Sequence, residues 1–263
     1  MATDLTTAPA PAAAPPAADD LGLDRPFVMS MARVPLLAIA WFAAGIGSHY
    51  LWAAVAPAAT PNFGPLVVLC VGMVLAAVID GYAFKVPNWL TLALVMSGWY
   101  LGIAHDLGVQ AAGTGGIGQA LLGTAIGFFA LFPALVIGGM GQGDVKMTMG
   151  FGSWCGAWFG AEYLCPNGEL VSAAGMIWWS FCVGVILGGI FGLVIMAFRR
   201  DLHKNAANFG AIASDMKLML THGPGEAAKQ ANSRRKDWVR LPYGVPLCAG
   251  FLLYLWYQLY LIG

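Results

Sequence analysis

Of 263 residues, 59% are hydrophobic and only 10% charged, with mean hydropathy +0.72 and 13 basic against 13 acidic side chains. That leaves too little polar surface for a soluble domain of this length, so the chain has to be solvated by lipid. A balanced charge with no basic excess argues against a nucleic-acid partner.

In chain order, Met1–Asp24 is rich in Ala, Pro and Asp and lacks both a basic start and an apolar core. It reads as a disordered tail, continuing to about residue 30, and not as a signal peptide. Seven apolar stretches follow at Val34–Val55, Phe63–Ile79, Trp89–Ala104, Ile117–Met140, Met147–Gly160, Leu170–Phe198 and Val245–Ile262. Each approaches the length that crosses a hydrocarbon core of about 30 Å, Met147–Gly160 being the shortest. The expected fold is therefore an all-α polytopic membrane bundle of about seven transmembrane helices. Its expected divisions are a helical domain over 31–198, a basic insertion over 199–241 and a last helix over 242–263. Within the insertion, Ala211–Leu220 has the makings of an amphipathic helix against anionic lipid, but a solvated loop that enforces topology is the simpler reading and the one expected.

Lys and Arg residues mark the cytoplasmic side, because basic loops resist translocation. With the N-terminus inside, seven alternating spans place all 13 Lys and Arg residues in Met1–Arg33, Gly81–Asn88, Gly141–Lys146 and Arg199–Leu241. The opposite loops hold Asp106, Glu162 and Glu169 and no basic residue. Five cysteines are scattered without a C-x-x-C pair, Cys165 alone being expected on the oxidising side, and the four histidines are dispersed. Neither a metal site nor any cofactor is indicated.

Two carboxylates stand out. Asp80 and Asp144 lie at the ends of apolar stretches, where a charge at membrane depth costs about 2.5–3.5 kcal/mol and is retained for a use. Asp80 is expected to end its helix, in the string Asp80-Gly-Tyr-Ala-Phe-Lys-Val-Pro-Asn88. Pro87 biases Val86 toward extended backbone, so a turn is expected there, with Asn88 suited to cap the following helix. Asp144 lies in Gly141-Gln-Gly-Asp-Val-Lys146, where Gly141 and Gly143 permit close backbone approach. Both strings fall on the same expected membrane face. Two neighbouring carboxyl groups that share one proton can activate water and protonate a leaving group.

At these residues the chain resembles the type IV prepilin peptidase family of aspartic membrane proteases. The first family motif is matched by Asp80, Lys85, Val86, Pro87 and Asn88, and the second, Gly-x-Gly-Asp-x-Lys, by Gly141, Gly143, Asp144 and Lys146. Leu241-Pro-Tyr-Gly-Val-Pro246 is similar to the segment that opens the family's last helix. The resemblance implies that Asp80 and Asp144 are catalytic and that the remaining motif residues support the site or the substrate. It implies a prepilin or pseudopilin precursor as partner, an inner-membrane location and an active site facing the cytoplasm. The turn after Asp80 carries a single basic residue, Lys85, where the family has several. The paired C-x-x-C motifs of the longer, methylating members are absent, so the resemblance is to the short, protease-only branch. Lys146 is open to two readings, a group that steadies a carboxylate or substrate and a snorkelling anchor at the headgroups.

The same two aspartates also suit a proton-coupled transporter or channel, although coupling sites usually lie near the midplane. A scaffold acting through the insertion leaves both motifs unexplained. A presenilin-like protease shares Gly-x-Gly-Asp but not the Pro87-Asn88 turn.

Overall fold

The computed structural model describes residues 25–57, 62–137, 140–164, 170–199, 213–234 and 242–258. The N-terminal tail to Asp24, Cys165 and residues 200–212 and 235–241 of the insertion lie outside these residues. Each of the seven apolar stretches contains a helix among the described residues. They correspond to α1 (Arg25–Val55), α2 (Gly64–Ala83), α3 (Asn88–Asp106), α4 (Ile117–Val136), α5 (Gln142–Phe159), α6 (Ala173–Arg199) and, at the C-terminal end, α9 (Gly244–Trp256). The insertion contributes α7 (residues 213–222) and α8 (Pro224–Arg234). Among the described residues, extended structure is limited to an antiparallel pair of two-residue strands, Tyr163–Leu164 with Leu170–Val171. The fold is all-α and polytopic.

Four segments are long and apolar enough to cross a membrane on length and composition, namely Ala32–Val55, Gly64–Ala83, Gln110–Val136 and Ala173–Val194. Helix α5 does not qualify, and its surroundings explain why. From Val145 to Phe159 nearly every residue is buried, because α5 is enclosed by α3, α4, α6 and α9. A helix with no lipid face can carry Gly, Ser, Thr and Asp, since protein rather than lipid supplies its partners.

Close packing around α5 rests on small residues. A Cβ on Gly152 of α5 would land on the carbonyl oxygen of Gly123 in α4, and the reverse holds for Gly123. The two helix backbones are thus in direct contact, an approach only glycine permits. On the opposite side, the Trp154 indole N–H donates to Ser97 Oγ (2.8 Å) and to the Leu94 carbonyl (3.1 Å), tying α5 to α3 without leaving a buried donor unmatched. Phe151 stacks on Phe251 of α9 with centroids 4.2 Å apart and planes within 6°, which fixes the last helix against the central one.

The insertion departs from a plain solvated loop. Helix α8 packs against α4, with Ala227 fully buried, and helical structure is present at 213–222, overlapping the amphipathic stretch read from the sequence.

Candidate active site

Asp80 does not end its helix. Helix α2 runs one turn further to Ala83, and Phe84 then closes it in left-handed backbone (φ 50°), its N–H donating to the Asp80 carbonyl (2.8 Å). Phe84 is the sole non-glycine residue with positive φ among those described. Bulky residues seldom adopt that region, and such strain persists where the surrounding structure requires a sharp reversal. The reversal carries Val86 into the core and presents Pro87, extended at φ −73° and ψ 140°, as the N-cap of α3. Lys85 is exposed in this turn.

The capping role expected of Asn88 is not what the structure shows. Pro87 occupies the N-cap position, no side chain caps the helix, and Asn88 is its first helical residue. Its side chain is used instead across the site: Lys146 Nζ donates to Asn88 Oδ1 at 2.7 Å. The tail of the second motif is thereby tied to the tail of the first, and Lys146 contacts an amide rather than either carboxylate. A second tie comes from Gly143, where a Cβ would sit 3.0 Å from Val86 Cβ, so the second motif packs directly on the turn of the first.

Asp144 occupies the third position of α5, in its polar first turn and outside the four spanning segments. Gly141, extended at φ −81° and ψ 155°, is the N-cap, and its N–H donates to Asp144 Oδ2 (3.1 Å). A carboxylate here completes half of a capping box and meets the positive end of the helix dipole. Even so, burial pushes its pKa up to about 7, the negative charge of Asp80 adds to the rise, and the Gly141 N–H opposes it. The packing of Gly143 on Val86 and the Lys146–Asn88 bond bring the motifs that carry the two carboxyl groups together. Both are 5% exposed.

The third element is α9. The Gly244 N–H, at the start of this helix, donates to Asp80 Oδ2 at 2.9 Å. The approach depends on the missing side chain, because a Cβ on Gly244 would lie 2.8 Å from Asp80 Oδ2 and 3.1 Å from both Cβ and Cγ. Neighbouring Tyr243 has its phenol pKa raised by burial and then by the charge of Asp144, so it too borders the pair. Neither Gly244 nor Tyr243 was assigned to the site from sequence. Their only signal was the Pro-Tyr-Gly-Val-Pro string, whose contact with Asp80 spans 164 positions of chain.

The structure thus gathers Asp80, Asp144, Gly141, Gly143, Lys146, Val86 and Asn88 at one end of the bundle, around the joins of α2 to α3 and of α4 to α5. The model of the type IV leader peptidase family matches residues 67–197, a stretch running from α2 into α6 that contains both aspartates. The chain belongs to this family. Comparison with curated proteins and with solved structures gives no match. The α9 residues that border Asp80 lie beyond the matched stretch. As a member of a leader peptidase family with four helices long and apolar enough to cross a membrane, the protein is a multi-pass membrane peptidase. Among the described residues no three or more His, Cys, Asp or Glu side chains cluster as metal ligands.

Proposed function

We propose that this protein is an aspartic endopeptidase of the inner membrane that removes the basic leader of prepilin-like precursors, with Asp80 and Asp144 as its catalytic dyad. The observation that carries the reading is that two separate motifs, joined by the Lys146–Asn88 bond and by Gly143 packing on Val86, each hold a carboxyl group that is 5% exposed. A pair sharing one proton supplies both functions that amide hydrolysis needs. The ionised member takes a proton from water as its oxygen attacks the scissile carbonyl. The protonated member hydrogen-bonds the carbonyl oxygen, and the proton taken from water goes to the leaving nitrogen as the C–N bond breaks. The two titrate as a unit, so the proton belongs to the pair.

The charge distribution supports a cytoplasmic site. With seven spans and the N-terminus inside, both motifs fall on the side that holds all 13 basic residues. A basic leader stays on that side while the apolar remainder of the precursor lies in the bilayer, and the cut falls at the junction. Gly141, Gly143, Lys146, Pro87 and Asn88 hold the motifs and the adjacent turn in place, and the exposed Lys85 is left to meet the substrate.

The test is cleavage of prepilin-type precursors by matched amounts of detergent-solubilised wild-type, Asp80→Asn and Asp144→Asn protein. Each substitution is expected to remove most turnover with the fold retained, and the double variant to lose little more than either single one, as for residues acting as a unit. Near-normal cleavage by either variant refutes the dyad.

A further inference from the structure

Each aspartate is 5% exposed, so a polypeptide reaches the pair only along whatever surface borders it. One such surface is a groove of about 390 Å³ between α2 and α9. Ala77, Val78 and Gly81 line it from α2, and Val245, Ala249 and Leu252 from α9. Two of its lining residues adjoin the candidate active site in the chain: Gly81 follows Asp80, and Val245 follows Gly244, whose N–H holds the Asp80 carboxylate. A Cβ on Gly81 would lie 3.7 Å from Val245 Cγ2, so the two helices meet at these residues.

The lining is apolar and its rim faces outward, Val78 being 49% and Val245 39% exposed. A charged leader has no partner on such a wall, and burying it there without one is costly. An apolar helix meets the wall without that penalty. The floor suits a helix in particular, because Ala77, Gly81 and Ala249 let a second backbone approach closely, which is how helices associate within a bilayer.

We infer that the groove between α2 and α9 is the docking site for the precursor's apolar transmembrane segment, seated so that its cytoplasmic end delivers the scissile bond to Asp80. This rests on the leader-peptidase reading and adds where the substrate helix binds. Docking along α2 and α9 holds the cut at a fixed distance from the apolar segment. It also makes groove shape a determinant of which precursors are accepted.

The experiment places a photo-crosslinking amino acid at Val78 and, as a lipid-facing control on α6, at Ile190, which is 54% exposed. Each is tested in membranes in the Asp144→Asn background, with a panel of prepilin-type precursors carrying a basic leader and an apolar helix of about 20 residues. Position 78 is expected to crosslink to precursor and position 190 not to. In the otherwise wild-type enzyme, Ala249→Leu is expected to raise KM about tenfold with kcat little changed, the mark of lost substrate binding rather than lost chemistry. If wild-type enzyme cleaves a precursor that never crosslinks from position 78, or position 78 captures only lipid or a second copy of this chain, the docking site is overturned while the peptidase reading stands. If no precursor is cleaved, both fall.

Discussion

Gly244→Ala isolates the contact between α9 and Asp80. The new methyl would sit 2.8 Å from Asp80 Oδ2 and 3.1 Å from its Cβ and Cγ. Either the carboxylate rotates away or the start of α9 lifts. In both cases the 2.9 Å hydrogen bond from the Gly244 N–H is lost or lengthened. A hydrogen bond to a charged group is worth about 1.5–3 kcal/mol, so a reaction that depends on this orientation slows by about 10- to 150-fold. Thermal stability is expected to fall as well, because the same bond is lost from the fold. Overpacking costs about 1–3 kcal/mol, and alanine recovers up to about 1 kcal/mol of that through helix propensity. Gly188→Ala is the matched control on α6: its Cβ would meet Pro246 of α9 at an ordinary 3.6 Å, filling space beside the same helix without touching a carboxylate. The assay is kcat/KM on a prepilin-type precursor, with melting temperature in detergent measured in parallel. Gly244→Ala activity within about threefold of wild type, less than 1 kcal/mol in the barrier, refutes the argument that this backbone contact sets the geometry of Asp80.

The raised pKa of Asp144, about 7 in the fold against 3.8 for a free side chain, sets a pH dependence of stability. Between those values the folded state holds a proton that the unfolded state has lost, so the contribution of this group falls as pH rises from about 4 to 7, by up to about 4 kcal/mol, and is level above. Melting temperatures across that window are expected to separate wild type from Asp144→Asn progressively with pH, and a constant separation sinks the prediction. The Lys146–Asn88 contact lies on the surface of the site, so a double-mutant cycle with Lys146→Met and Asn88→Ala is expected to give a coupling of about 0.2–1 kcal/mol in stability, and no coupling denies the tie between the motifs. For topology, single cysteines in a cysteine-free background are expected to label from the cytoplasmic side at Ser214 and from the opposite side at Leu107. Labelling from one side at both positions removes the seven-span arrangement. Chelation by EDTA is expected to leave cleavage intact, since in the proposed mechanism the two carboxyl groups serve as acid and base; activity lost to EDTA and restored by zinc contradicts that proposal.

The helices were legible because apolar runs of membrane length are written locally, residue by residue. Asp80 and Asp144 were legible for a related reason, as acidic groups that stand out where a run ends. What the sequence could not supply was the set of partners each residue meets. Asn88 has the side chain of an N-cap, yet Pro87 takes that position and Asn88 accepts from Lys146, 58 residues away in the chain. Asp80 looked like a helix terminus because Lys85 and Pro87 follow so soon. The helix continues to Ala83 because Phe84 absorbs the reversal in a backbone conformation no propensity scale favours for it. Gly244 was invisible as a site residue because its role is to lack a side chain at one contact, which a chain with 35 glycines does not advertise.

The arrangement also explains how a membrane protein keeps Asp144 at small cost. Helix α5 is short and only weakly apolar, properties that make it the poorest candidate for a span by composition. In the fold most of its surface is covered by protein, because α3 and α4 pack against it at backbone distance and α9 covers another side through the Phe151–Phe251 stack. The penalty that a carboxylate meets in hydrocarbon is therefore replaced by a balance within protein: burial raises the pKa, and the Gly141 N–H restrains the rise. A value near 7 leaves the proton free to be given up or taken back at neutral pH, the condition under which a paired carboxyl group works as acid or base. The same enclosure that defeats a hydropathy reading of α5 thus produces the ionisation behaviour on which the proposed chemistry depends.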